Sequence, residues 1–195
     1  MSDESTGTRE AILAATRAAL REHGYDELSM AKVAAEFDGS QSLIHYHFDD
    51  REGLLAAFLA RRRERFEASS SELPADPDER LERLVEERIA GLDEPEAASS
   101  IEGYLGLHGA ALDSEPIRRE LAALDDALFE AFRETIARGV ETGAFRECDP
   151  ATVARVLVAG HDSAFLRVTV DDSPAAVRDA LEDTLLASLR EGDRQ

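Results

Sequence analysis

The chain carries one cysteine, Cys148, in 195 residues. That excludes an internal disulfide and any cysteine-rich metal site. No apolar run approaches the ~20 residues a membrane-spanning helix needs, so no membrane partner is expected. The opening residues, Met1-Ser-Asp-Glu-Ser-Thr-Gly-Thr8, are polar and acidic and do not read as a secretory signal. The chain lacks a phosphate-cradling glycine loop, an HExxH pair and a Gly-x-Ser-x-Gly elbow, so no enzymatic activity and no cofactor is expected. It also lacks β alternation of useful length and any internal repeat. These absences suit a cytoplasmic helical protein.

Lysine is almost missing. Lys32 is one of 22 basic side chains, and the others are arginine. Against them stand 42 acidic residues, a net charge of −20. The acidity is uneven: residues 1–70 hold 9 basic and 13 acidic side chains, net −4, and the remainder holds 13 and 29, net −16. High acidity with so little lysine resembles proteins of salt-loving organisms. At molar salt the Debye length is only ~3 Å, which lowers the cost of bringing an acidic body to another polyanion.

What is present is organised around residues 29–51. Ser29 is placed to cap a helix, because its hydroxyl accepts a first-turn N–H that has no partner. Met30, Val33, Ala34 and Phe37 follow at i, i+3, i+4 and i+7, one apolar face. Asp38-Gly39 is a turn signal. Ser40 restarts a helix in which Ile44 and Phe48 face inward and Gln41, Ser42, His45 and Tyr46 face outward. A second short helix of this kind suits a reader of the DNA major groove.

This stretch resembles the DNA-binding segment of the tetracycline-repressor (TetR) family. The residues that carry the likeness are Ser29, Val33-Ala34, Ser40, Ile44-His45-Tyr46-His47-Phe48, Arg51 and Leu54, in register without gaps. Asp38 stands where the family usually has the turn glycine, and His45 where it usually has a tyrosine. The resemblance implies a dimer that binds a palindromic double-stranded DNA operator and answers to a small-molecule effector. It implies that Ser29, Ser40, Gln41, Ser42, His45, Tyr46 and Arg51 face DNA, with Ser29, His45 and Arg51 positioning the backbone. Gln41, Ser42 and Tyr46 would contribute to base readout. Arg51 takes the place of a family lysine that bonds a phosphate at a helix N-terminus.

The remaining pattern predicts an all-α chain of about nine helices. Residues 1–7 read as unstructured and a first helix as about 8–23, with Ile12, Thr16, Ala19 and Leu20 inward and Gly24 closing it. After the helices at 29–37 and 40–47, a fourth begins at Asp49-Asp50 and runs through Leu54, Leu55, Phe58, Leu59 and Phe66. Residues 69–77 read as a linker. Further helices are expected at about 78–91, closed by Gly91, and 97–113, carrying Ile101, Tyr104, Leu105, His108 and Leu112. A loop at Asp93-Glu94-Pro95 separates these two. The last three are expected at about 116–141, with Ile117, Leu121, Leu124, Leu128, Phe132 and Ile136 inward, at 150–170 and, after Ser173, at 174–190, with Val177, Leu181, Leu185 and Leu189 at spacings of four. The boundaries drawn are 1–48 for the DNA-binding domain, 49–70 for a connecting helix and 71–195 for an effector-binding and dimerisation domain.

The stretch 104–170 also resembles the TetR subgroup that includes the choline/betaine regulator. The likeness lies in Tyr104-Leu105, Ser114-Glu-Pro116, Gly139-x-x-x-Gly143 and Asp149-Pro-Ala151, and no ligand is carried over from it. In the family the last two helices pair with those of a second subunit. Gly160, Ala159 and Ala164 would allow close approach there. Tyr104, His108, Phe129, Phe132 and Phe165 are the candidate effector-pocket residues, since a small-molecule site needs aromatics and a few polar groups. No metal site is expected, because His45 and His47, two apart on a helix, do not share a face. The competing reading is an acidic all-helical dimer that binds a protein or small ligand and has lost DNA binding.

Overall fold

The computed structural model describes residues 2–37, 39–89, 97–170 and 174–190, and every regular element among them is helical. The chain forms two compact units. One comprises Met1–Arg65 with Ser99–Leu124, the other Phe66–Ala98 with Asp125–Gln195. Among the described residues no helix is long and apolar enough to cross a membrane.

The first unit is built from α1 (Ser2–His23), α2 (Met30–Glu36), α3 (Gln41–His47), the first part of α4 (Arg51–Ser71), α6 (Ala97–Ala110) and the opening turns of α7 (Glu115–Thr142). Helix α1 begins at Ser2 and not near Thr8, which corrects the expectation of an unstructured start. Polarity removes the packing argument for order, but a nucleated helix still gains one backbone bond per added residue. Its inner stripe is as expected: Ile12, Thr16 and Ala19 are fully buried and Leu20 nearly so. Ile12, Ala19 and Leu20 join Val33, Ile44, Leu54, Leu55, Leu59, Leu107, Ile117 and Leu121 in one cluster. The hydroxyl of buried Thr16 donates to the Ile12 carbonyl at 2.9 Å, so its burial leaves no unmet polar group. Gly24 ends α1 at φ 69°, a left-handed conformation that glycine adopts without steric cost.

Helix α6 departs from expectation. It stops at Ala110, and Leu112 in the turn beyond it is 81% exposed, not inward. Leu107 is the buried leucine instead and joins that cluster, while Ile101 is buried as well. Gly106 is a contact point. A Cβ there would lie 2.2 Å from the Tyr25 Cβ, so the absence of a side chain lets α6 rest on Tyr25.

The second unit holds the end of α4, α5 (Pro77–Ile89), most of α7, α8 (Pro150–Val168) and α9 (Pro174–Ala180). Helix α9 continues through a π-helical stretch, Leu181–Leu186, into Ala187–Arg190. Helix α4 runs to Ser71 and takes in the serines read as linker. Ser69 and Ser71 return their hydroxyls to the Phe66 and Ala68 carbonyls at 3.0 and 2.6 Å, so both are satisfied inside the helix. Asp76 then opens α5 by accepting from the Asp78 and Glu79 N–H groups. Leu124, Leu128, Phe132 and Ile136 give α7 its buried stripe.

The last helix shows why a spacing of four misleads. Steps of four drift by about 40° each on an α-helix. The π-helical stretch resets the face, so Leu186 and Leu189 are buried while Leu185 is only partly so. Arg146 closes this helix: its N–H donates to the Leu189 carbonyl at 2.9 Å and its Nε to the Ser188 carbonyl at 2.6 Å. Arg190 pairs with Asp78 and Glu82 at 2.6 and 2.5 Å. Gly160, expected to serve approach between subunits, instead receives a side chain of its own chain. A Cβ at Gly160 would lie 2.9 Å from Leu181 Cδ1. Ala164 is fully buried, whereas Ala159 is exposed. Asp38, the stop at Gly91, the loop Asp93–Pro95 and Ser173 lie outside the described residues.

Two stability predictions follow from the second unit. A Cβ at Gly139, inside α7, would lie 2.0 Å from a ring carbon of Phe145, which is only 3% exposed. Gly139→Ala gains about 1 kcal/mol of helix propensity, but overpacking costs about 1–3 kcal/mol or more. With a ring that has nowhere to go, the net effect is a lower urea midpoint; an unchanged or raised midpoint would contradict this packing. Asp149 caps α8, accepting from Thr152 Oγ1 at 2.5 Å and from the Ala151 and Thr152 N–H groups at 3.2 Å. The Thr152 hydroxyl, then these N–H groups, hold its carboxyl below the ordinary aspartate value against a small opposing effect of burial. Its stabilisation is therefore complete above the unfolded-state pKa and is lost as pH falls through the lower folded-state value. Asp149→Ala should lower stability at neutral pH and flatten the acid limb of a urea-stability profile.

Candidate nucleic-acid interface

The turn between α2 and α3 brings two serine caps into play. Ser29 Oγ accepts from the Lys32 N–H at 3.2 Å, and Ser40 Oγ accepts from the Leu43 N–H at 3.3 Å. Each hydroxyl thus spends a lone pair on its own helix and keeps its O–H for an outside acceptor. Phe37 closes α2 and the Gly39 N–H donates to its carbonyl at 2.7 Å. A Cβ at Gly39 would lie 2.3 Å from the Phe37 ring. A side chain at this position would press on that ring, which would have to shift.

Helix α3 is pinned by one residue. Ile44 is fully buried, and Phe48, just past the helix end, is 6% exposed. Gln41, Ser42, His45 and Tyr46 are exposed, Tyr46 at 81% and Leu43 at 36%. A single anchor with exposed neighbours on either side is what one face of a 3.6-residue period produces. The Tyr46 ring meets His47 edge-on at 5.2 Å. No residue of Gln41–His47 is a carboxylate, so the exposed side of α3 is neutral in a chain of net charge −20.

Arg51 is not a loose surface cation. It is half-buried, with its guanidinium 4.2 Å from the centre of the Tyr25 ring, and Nη2 donates to the Tyr25 carbonyl. Its Nε is buried without a hydrogen-bond partner. The stacked ring and the carbonyl together set the direction of the side chain, and nothing in the spacing of the sequence announced Tyr25 as its partner. The Asp50 carboxylate caps α4 by accepting the Gly53 N–H at 2.8 Å.

The five aromatic and imidazole residues expected at an effector pocket divide between the units. In the first, the rings of Tyr104 and His108 lie 4.2 Å apart. His108 Nε2 is buried without a hydrogen-bond partner. In the second, Phe132 is 1% and Phe165 6% exposed, with Phe165 edge-on to His161 at 4.7 Å. Phe129 carries the Arg155 guanidinium 5.0 Å from its ring centre. Among the described residues no group of three or more His, Cys, Asp or Glu is arranged to hold a metal ion.

Two capped short helices, the second exposing neutral polar and aromatic groups, define a helix-turn-helix DNA-binding protein. Residues 12–58 match the bacterial regulatory proteins of the tetR family, and residues 77–191 match the C-terminal region of BetI-type transcriptional repressors. The chain belongs to the TetR family of transcriptional regulators. It is similar to a TetR transcription regulator from Haloarcula marismortui, with 30% identity, a TM-score of 0.83 and coverage of 91% of this chain and 96% of that one. The HTH-type transcriptional repressor AcnR of Corynebacterium glutamicum is 29% identical over 152 residues, 77% of this chain and 76% of the relative. A putative transcriptional regulator from Saccharomonospora viridis, solved in complex with choline, shares the fold at 24% identity, covering 96% of this chain and 100% of that one with a TM-score of 0.79.

Tyr46 offers the cleanest test of the interface. It is too exposed to hold the fold, so Tyr46→Ala should leave thermal stability within about 0.5 kcal/mol. Affinity for a specific site should fall by about tenfold, the order of one lost base contact. Fluorescence anisotropy with labelled operator DNA reads the second quantity, and unchanged affinity would remove Tyr46 from the interface.

Proposed function

We propose that this regulator is a cytoplasmic homodimeric repressor that binds a palindromic double-stranded DNA site and is released by a small-molecule effector. The observation that carries the reading is α3, whose neutral face presents Gln41, Ser42, His45 and Tyr46 to solvent while Ile44 anchors it. Gln41, Ser42 and Tyr46 are assigned to base edges. Ser29, Ser40, His45 and Arg51 are assigned to the backbone, the serines through the O–H each cap leaves unused. Arg51 is held by Tyr25 before DNA arrives, which reduces the entropy lost on contact.

The homodimer is assigned to the last two helices. Val156 at 47% and Leu166 at 48% exposure share a stripe of α8 with exposed Ala159. Two reading helices are required for a palindrome, with half-sites about 34–36 Å apart. Effector contact is assigned to Tyr104 and His108 in the first unit; Phe129, Phe132 and Phe165 belong to the second unit and are assigned no shared site with them. The orphaned Nε2 of His108 supports that assignment, since buried polar atoms ordinarily have a partner. An effector acts by binding one arrangement of the dimer better than the other.

The deciding experiment is titration of the purified protein against its own upstream DNA, from low to molar potassium chloride. Saturable binding with two subunits, or a multiple, per site is the expected result. No binding at any salt by an intact helical dimer would favour an acidic interaction protein instead. Leu166→Glu should shift the protein toward monomer in light scattering and weaken operator binding in parallel; a dimer unmoved by this change would place the interface elsewhere.

A further inference from the structure

The first unit contains a cavity of about 360 Å³ between α1, α4 and α6. Its polar lining is Arg17 and Arg21 from α1, Arg61, Arg62 and Arg65 from α4, and Tyr104 from α6. Among the described residues none that lines it is a carboxylate. In a chain with 42 acidic and 22 basic residues, five arginines around one void is the reverse of the background.

Two of the five are already paired. Arg61 bonds Glu10 at 2.8 Å and Glu64 at 3.3 Å, and Arg65 lies 3.7 Å from Glu10. Arg17, Arg21 and Arg62 make no ion pair with a described residue. Burial holds Arg62 below the ordinary guanidinium value; Tyr104 opposes this and the like charge of Arg17 adds to it. Arg17 and Arg21 are exposed and Arg62 is partly buried, and these three like charges repel one another; an anion placed among them removes that cost. Guanidinium groups also match carboxylate and phosphate geometry, two N–H groups to two oxygens.

The rest of the wall is apolar: Leu13, Leu20, Phe58 and Leu107. A fully hydrated inorganic anion would leave that surface unused. The volume lies within the range of small-molecule sites. We infer that this cavity binds a small organic anion, a carboxylate or phosphate attached to a short apolar body, with Arg17, Arg21 and Arg62 on the charge and Tyr104 beside it. As an effector site it rests on the regulator reading above.

The cavity is also placed to act on the DNA-binding segment. Helix α6 supplies Tyr104 to the lining, and the same helix carries Gly106 against Tyr25. Tyr25 in turn holds Arg51 by its ring and its carbonyl. An anion drawing α1, α4 and α6 onto itself changes the support under Tyr25. Linkage then requires the operator to alter anion affinity by the same factor.

The test is calorimetric titration of the full-length protein with four probes: octanoate, hexyl phosphate, octan-1-ol and choline. Saturable binding of octanoate or hexyl phosphate, with octan-1-ol weaker and choline absent, is the expected result, and the stronger of the two anions identifies the head group. Arg62→Gln should weaken the bound anion about tenfold or more, the loss of one charge-assisted hydrogen bond, without changing octan-1-ol binding. Arg17→Gln, at an exposed position, gives the same reading should Arg62→Gln fail to fold. The inference is overturned if neither anion binds, if octan-1-ol binds as tightly, or if the folded variants bind the anion unchanged. Operator binding by the same preparation separates the two readings. Operator binding without anion binding sinks the cavity assignment alone, and anion binding without operator binding sinks the regulator alone.

Discussion

A seven-residue helix does not hold itself together in water. Isolated helices shorter than about 12–15 residues are marginal even with favourable sequences, and α3 has 7. Its shape is therefore borrowed from the cluster into which Ile44 is driven. Burying one such aliphatic side chain stabilises by about 1.5–3 kcal/mol, and Ile44 meets a wall that includes Ile12, Val33, Leu54 and Leu55. The arrangement constrains everything around it. Helices α1, α2 and α4 must converge under α3, the caps at Ser29 and Ser40 must start their helices cleanly, and the outward residues inherit their direction from the inward one.

Charge is handled by placement and not by composition. The body is strongly acidic, yet α3 bears no carboxylate, and several arginines are committed to particular tasks. Arg51 is stacked and hydrogen-bonded on Tyr25. Arg146 and Arg190 secure the end of the last helix against the turn before α8 and against α5. Arg61 ties α4 to Glu10 of α1. Arginine suits these roles because its planar, weakly hydrated head stacks and forks where an ammonium would not. The preference for arginine over lysine thus has a structural counterpart at these four positions.

Much of the architecture was legible in advance because its causes are local. The stripes Ile12–Leu20 and Ile117–Ile136, the left-handed Gly24, the caps at Ser29 and Ser40 and the outward set Gln41, Ser42, His45 and Tyr46 all follow from helical period and from hydrogen-bonding capacity near a helix end. What was misread depended on the opposing surface. Leu112 looked like part of an inner stripe, but α6 ends before it. Gly160 looked like room for a second subunit, but Leu181 of the same chain occupies the space. Ser69–Ser71 looked like linker, but they continue α4, with the Ser69 and Ser71 hydroxyls bonded to carbonyls inside it.

The amino-acid order by itself determined the helical class, the approximate places of the helices and the two-helix reading segment, because periodicity, caps and turn residues act within a few positions of one another; the family was read from the resemblance carried by Ser29–Leu54. Tertiary structure alone decided that Arg51 belongs to Tyr25, that Gly106 and Gly139 are clearances for particular rings, and that arginines from two helices and a tyrosine from a third enclose one cavity. Except for Gly139 and Phe145, these pairings join residues far apart in the chain, and a helix face read from sequence states which side is buried without stating what meets it.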